Sequence, residues 1–315
     1  MAKESEQIMQ SSLVSELLKQ KKSDRFWKNF RFFVGLLFII IVFSTIFSQA
    51  KQSPPLSDGD GEDYVSLIRL DGLIAPGNSF SAEYLVPVLE QAMKDEGAKG
   101  VILDINSGGG TPVQSAIIHD AVVRLKKKHN KKIVVVGEDS LASGAYFVAV
   151  AADKIFVNAN SITGSIGVVM KGFGFQDLIK KIGVQRRVYM AGNNKDRLDP
   201  FLPQTEADIE KVKQITSEVH QNFIEAVKNG RGDKLKGSPE ELFSGDFWTG
   251  ERAVSLGLVD GLGDLYSVME SEFEVYRYRD YTDGGSLLKS LTGKFGTSIG
   301  SLFNEGSSVK VMEQL

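Results

Sequence analysis

The chain has 315 residues, 42% of them hydrophobic and 24% charged, which is ordinary globular composition with material for one or two packed cores. A net charge of −3 gives no electrostatic footprint for a polyanion and argues against nucleic acid as a partner. The absence of cysteine removes disulfides, thiolate catalysis and cysteine metal sites, and the three scattered histidines, His119, His129 and His220, give a zinc cluster no local support, so neither metal nor cofactor is expected.

In chain order, the first feature is a polar, basic leader at 1–31 carrying Lys19, Lys21, Lys22, Arg25, Lys28 and Arg31. From Phe32 through Phe47 the chain is apolar apart from Gly35, Ser44 and Thr45, and it stays uncharged to Ala50. At ~1.5 Å rise per residue, a helix over 32–50 covers most of a ~30 Å hydrocarbon core, which predicts a single transmembrane anchor. Lys51 is followed by Asp58, Asp60, Glu62 and Asp63, so the positive-inside bias puts the leader in the cytoplasm and the larger domain outside it. Ser48-Gln49-Ala50 is a small-x-small site and keeps a cleavable signal peptide in play, while the long leader and bulky apolar stretch favour an anchor.

Residues 51–62 mix Pro, Ser, Gly and Asp without apolar periodicity and read as a solvated linker. A folded domain is expected over 63–275. Its β-branched runs YVSLIRL, VILDIN and IVVVGE alternate with helices near 82–97, near 113–128 and from about 143, which predicts βαβ units around a mainly parallel sheet, an α/β fold. Further strands are predicted at KIFVN and RRVYM. A long helix from about Thr205 to Lys228 follows, with Ile209, Val212, Ile215, Val219 and Phe223 at helical spacing. The stretch 276–315, rich in Gly and Ser, shows no clear period and reads as an irregular tail.

Two strand-to-helix junctions hold the chemistry. VILDIN runs into Ser107-Gly108-Gly109-Gly110-Thr111-Pro112, where a parallel sheet presents backbone N–H groups to a ligand. The Walker pattern requires a Lys and then a Ser or Thr directly after the glycines, which Thr111-Pro112 does not supply; an oxyanion hole or a plain turn is left. IVVVGE runs into Ser140-Leu141-Ala142-Ser143-Gly144-Ala145, where Ser143 is either an exposed nucleophile or a helix N-cap, with Ser140 as a competing cap. The histidines sit poorly as bases for a serine. A lysine can serve where burial disfavours its ammonium form, but this chain has many lysines and the pattern does not select one.

The segments DINSGGG, DSLASGAYFVAVAADKI, ANSITGSIGV, GNNKD and TGERAVSLGLVDGLG stand in an order and spacing that resembles the signal peptide peptidase A family of membrane serine proteases, over about residues 63–270. The resemblance implies Ser143 as nucleophile, Lys195 as general base, Ser165 beside the lysine amine, and backbone amides of Gly109 and Gly144 as the oxyanion hole. It also implies the ClpP/crotonase-like spiral of ββα units, a ring-like homo-oligomer, a bacterial cytoplasmic membrane location, and released signal peptides and other apolar peptides as substrates. Two positions depart from the family pattern: Gly108 stands where proline is usual, and Ala145 replaces a second glycine. The competing readings are a crotonase-type acyl-CoA enzyme on the same sheet and a non-enzymatic oligomeric membrane scaffold.

Overall fold

The computed structural model describes residues 30–37, 56–57 and 63–282. The chain divides into two compact units, Met1–Ser53 with Leu291–Leu315, and Pro54–Ser290. In the first, residues 30–37 are helical and exposed; the rest of the span predicted at 32–50 lies outside the described residues. Among the described residues no helix is long and apolar enough to cross a membrane.

The second unit is mixed α/β. Its elements in order are β1 (Tyr64–Asp71), α1 (Ala82–Lys94), β2 (Ala98–Ser107), α2 (Pro112–His129), β3 (Ile133–Ala142), α3 (Gly144–Ala149), β4 (Lys154–Val157), β5 (Ile162–Gly164), α4 (Gln176–Lys181), α5 (Glu206–Arg231), α6 (Pro239–Leu242), β6 (Phe247–Thr249), α7 (Gly250–Ser255), β7 (Gly261–Leu262), α8 (Leu265–Phe273) and β8 (Arg277–Asp280). Eight strands among the described residues form one sheet in the order β6-β5-β3-β2-β1-β8, with β4 pairing β3 and β7 pairing β4. All the pairings are parallel except β5 with β6.

The central strands read as unbroken apolar runs because both faces of the sheet are covered. Ile68, Leu70, Leu103, Ile105 and Val135 point to the side packed by Leu85 and Leu89 of α1 and Ile118 and Val122 of α2. The alternating set Leu67, Ile102, Val134 and Val136 meets Val268, Met269 and Phe273 of α8. Each such fully buried side chain contributes about 2 kcal/mol of transfer free energy before entropy is counted. Parallel strands wrapped this way deliver the C-terminal ends of β2, β3 and β5 to one rim.

Three departures from the sequence reading have local causes. The first helix stops at Lys94 because Asp95 turns extended and its carboxylate accepts from the hydroxyls of Tyr64 and Tyr281 and from Arg279. RRVYM forms no strand, since it lies on an exposed arm with no neighbouring strand to pair among the described residues; Tyr189 is 91% exposed. Conversely, Arg277–Asp280 in the stretch read as irregular is a strand, seated parallel on β1. Leu56 bridges Arg279 in antiparallel fashion and the Ser57 amide donates to the Tyr278 carbonyl, so part of the predicted linker lines the same edge.

One buried acid ties the fold to pH. Asp104 of β2, 4% exposed, faces the α8 side, where its Oδ2 accepts from Arg69 at 2.9 Å. Its Oδ1 finds no donor among the described residues. Burial pushes its carboxyl up to about 7, the charges of Glu138 on β3 and Asp71 on β1 push the same way, and Arg69 opposes them. The folded state therefore holds this proton more tightly than the unfolded chain, whose value is 3.8, and stability from this group falls as pH rises between about 4 and about 7. Asp104→Asn keeps a polar partner for Arg69 and removes the titration. The variant's melting temperature relative to wild type should accordingly climb between about pH 4 and about pH 7 and level off above that. Parallel melting curves across that range would refute the assignment.

Candidate active site

Ser143 sits at the turn from β3 into α3 with φ 52 and ψ −123, a region that non-glycine residues occupy only at a cost of about 1–3 kcal/mol. Its amide donates to the Gly164 carbonyl at 2.8 Å, and its carbonyl accepts from Phe147, opening the helix. Its side chain makes no capping hydrogen bond, and Ser140 lies within β3, so neither serine caps α3. The strained backbone thus presents a hydroxyl with no structural duty.

The glycine loop lies against this turn. Gly109 has φ +101, and a Cβ there would stand 2.6 Å from the Gly144 amide nitrogen and 2.8 Å from Ser143 Cβ. Gly144 is equally confined: a Cβ would meet Ser115 Oγ at 2.5 Å and the Gly110 nitrogen at 3.0 Å. The loop is fastened from the other side by the Ile74 amide donating to the Gly109 carbonyl and the Thr111 amide donating to the Ile74 carbonyl. The Gly144 amide has no acceptor among the described residues, whereas that of Gly109 donates to Ser107 Oγ at 3.1 Å. A ligand oxygen at Gly109 therefore has to draw that amide from Ser107, a residue inside the DINSGGG segment whose role no spacing or residue type signals.

Ser165 follows β5 as Ser143 follows β3. Ala142 and Gly164 are register partners in this parallel pair, so the two serines leave adjacent strands at equivalent positions, about one strand spacing of 4.8 Å apart in the sheet. Ser165 also has positive φ, 50, with its amide bonded to the Asp246 carbonyl at 2.7 Å and its carbonyl to the Gly167 amide at 2.9 Å.

Lys195 is not brought to them. It lies on the arm between β5 and α5, exposed, and its amine makes no hydrogen bond or ion pair among the described residues. The arm has its own small framework: Arg186 pairs with Asp199, Arg197 with Asp208, and Phe175 stacks between Phe173 and Phe201. α4 buries nothing, and Val169, Phe173, Ile182 and Tyr189 are all strongly exposed. An apolar surface of this kind marks a contact face. Among the described residues no histidine is bonded to the serine hydroxyl: His119 meets Phe147 edge-on and contacts Asp120, His220 reaches the Ile166 carbonyl, and His129 Nε2 is buried without a partner. Among the described residues there is no group of three or more acids and histidines able to hold a metal ion.

A family model described as peptidase family S49 matches residues 125–274. A Na(+)/H(+) antiporter NhaA of Brucella melitensis is 46% identical over 217 residues, 67% of this chain and 29% of that protein. A putative signal peptide peptidase SppA of Enterococcus faecium is 30% identical, covering 69% of this chain and 64% of its own length. A putative protease of Synechocystis sp. is 30% identical, covering 63% of this chain and 69% of its own. The chain thus spans less than a third of the first of these relatives and just under two thirds of the second.

Proposed function

Because the chain belongs to peptidase family S49, we propose that it is a serine endopeptidase in which Ser143 attacks the peptide carbonyl and Lys195 takes its proton. The observation that carries this reading is the strained, non-capping Ser143 packed on two glycines at the rim of a parallel sheet. The amide of Gly144, joined by that of Gly109 once released from Ser107, would stabilise the tetrahedral oxyanion. Ser165, one strand away, would orient the lysine amine. Lys195 would then return the proton to the leaving amine and activate the water that hydrolyses the acyl-enzyme.

Lys195 stands on an exposed arm, and a lysine acts as a base only where burial favours its neutral amine. The reading is therefore of a ring-like homo-oligomer in which the arm of one copy covers the site of the next and the serine and lysine of one dyad come from two chains. The mixed α/β unit with its rim of strand ends fits the ClpP/crotonase-like spiral. Residues 32–50 would anchor it in the bacterial cytoplasmic membrane with this unit outside, where released signal peptides and other apolar peptides are its substrates.

Incubation of the purified protein with a serine-directed phosphonate should give one covalent adduct, located by peptide mass spectrometry on Ser143. Modification at another serine, with Ser143 untouched and peptide hydrolysis blocked, would overturn the assignment of the nucleophile.

A further inference from the structure

The long helix α5 touches the serine-bearing rim at two points one turn apart. Phe223 packs on Phe147 of α3, ring centroids 5.0 Å apart, and so braces the helix that begins beside Ser143. One turn earlier, His220 Nε2 lies 3.0 Å from the carbonyl oxygen of Ile166. A carbonyl only accepts, so this ring nitrogen carries the proton and donates. Ile166 is fully buried and directly follows Ser165, whose own amide and carbonyl are bonded to Asp246 and Gly167. The preceding carbonyl, of Gly164, holds the Ser143 amide.

We propose that His220 is a positioning residue for Ser165, fixing the Gly164–Gly167 turn through the Ile166 carbonyl so that the hydroxyl of Ser165 meets the lysine amine that serves Ser143. The inference rests on the protease reading above. Ser165 occupies a strained positive-φ backbone that would relax if its flanking peptides were free, and the Ile166 carbonyl is the flanking group that a side chain from another element restrains. The same helix is capped at Thr205 and Asp208 and paired through Asp208 to Arg197, two residues from Lys195. α5 is thereby in contact with the turn that bears Ser165, the helix that follows Ser143 and the arm that bears Lys195. Displacing a reacting or orienting group by about 1 Å costs up to about 10²-fold in rate, so a modest shift of this turn is enough to be read in kinetics.

The test uses the full chain and compares His220→Phe, which keeps a ring without the donor, His220→Gln, which restores an N–H, Ser165→Ala and the double variant His220→Phe/Ser165→Ala. His220→Phe should lower kcat for an apolar fluorogenic peptide by about tenfold with KM nearly unchanged, at unaltered melting temperature. His220→Gln should recover most of that loss. The double variant should be no slower than Ser165→Ala, because the histidine then has nothing left to position. Wild-type kcat in His220→Phe, no recovery in His220→Gln, or losses that multiply in the double variant would each overturn the positioning role while wild-type hydrolysis leaves the protease reading standing. A wild type that neither hydrolyses peptide nor reacts with the phosphonate would remove both.

Discussion

Ser143→Ala and Lys195→Ala will each lower peptide hydrolysis by about 10⁴-fold or more, and co-expression of the two variants will restore part of it. The single losses follow from the chemistry, since neither an oxygen nucleophile without a base nor a base without a nucleophile completes acyl transfer. The recovery follows from the geometry. Ser143 lies at the sheet rim and Lys195 on the exposed arm, with no bond between them in one chain. In the mixed form of the ring proposed above, a site that takes its serine from a Lys195→Ala copy and its lysine from a Ser143→Ala copy would be whole. Random assembly at equal amounts leaves about a quarter of the sites intact in a symmetric ring. A mixture that stays as inert as its components, in a verified mixed oligomer, would place the whole dyad within one chain.

Gly109→Ala will reduce kcat by about 10²–10³-fold, the scale of losing one oxyanion donor. An added Cβ would collide with the Gly144 nitrogen at 2.6 Å, Ser143 Cβ at 2.8 Å and the Ala142 carbonyl at 3.0 Å, so the loop has to withdraw from the serine. The φ of +101 adds backbone strain on top. Gly108→Ala is the internal control, because nothing lies within 4 Å of a Cβ there. It should retain near-wild-type kcat, and both variants should remain folded by circular dichroism. Equal activity of the two would mean that the amide at 109 does not meet the developing oxyanion.

Much of the sheet is legible in the sequence because burial on both faces writes itself as unbroken β-branched runs, as in IVVV and VILDI. α5 is legible for the same kind of reason, through its 3.6-residue apolar stripe, although burial is confined to its C-terminal half, from Phe223 to Arg231. β8 escapes because its face is only half buried; the strict alternation of Tyr and Arg from Tyr276 to Arg279 is the signal that could have found it. RRVYM misleads in the opposite sense, since propensity makes a strand only where a neighbour supplies hydrogen bonds. At the site, the strand-to-helix junctions point to Ser143 and the glycines, but no local pattern chooses Lys195 from the other lysines. It stands on an exposed, irregular arm, and such an arm has no period to read. Likewise, the hold of Ser107 on the Gly109 amide and the reach of His220 to Ile166 depend on which elements fold together.

The half-buried edge strand β8 also has a mechanical meaning. Leu56 is bonded along β8, and Thr282 lies two residues past the end of that strand. The two residues therefore share one edge, and β1 and β2 stand between it and β3, a span of about 14 Å at normal strand spacing. A pull applied at Leu56 or at Thr282 meets β8 and its ladder to β1 first. The peptide units that hold Ser143 lie two strands beyond that ladder, so the edge yields before they do.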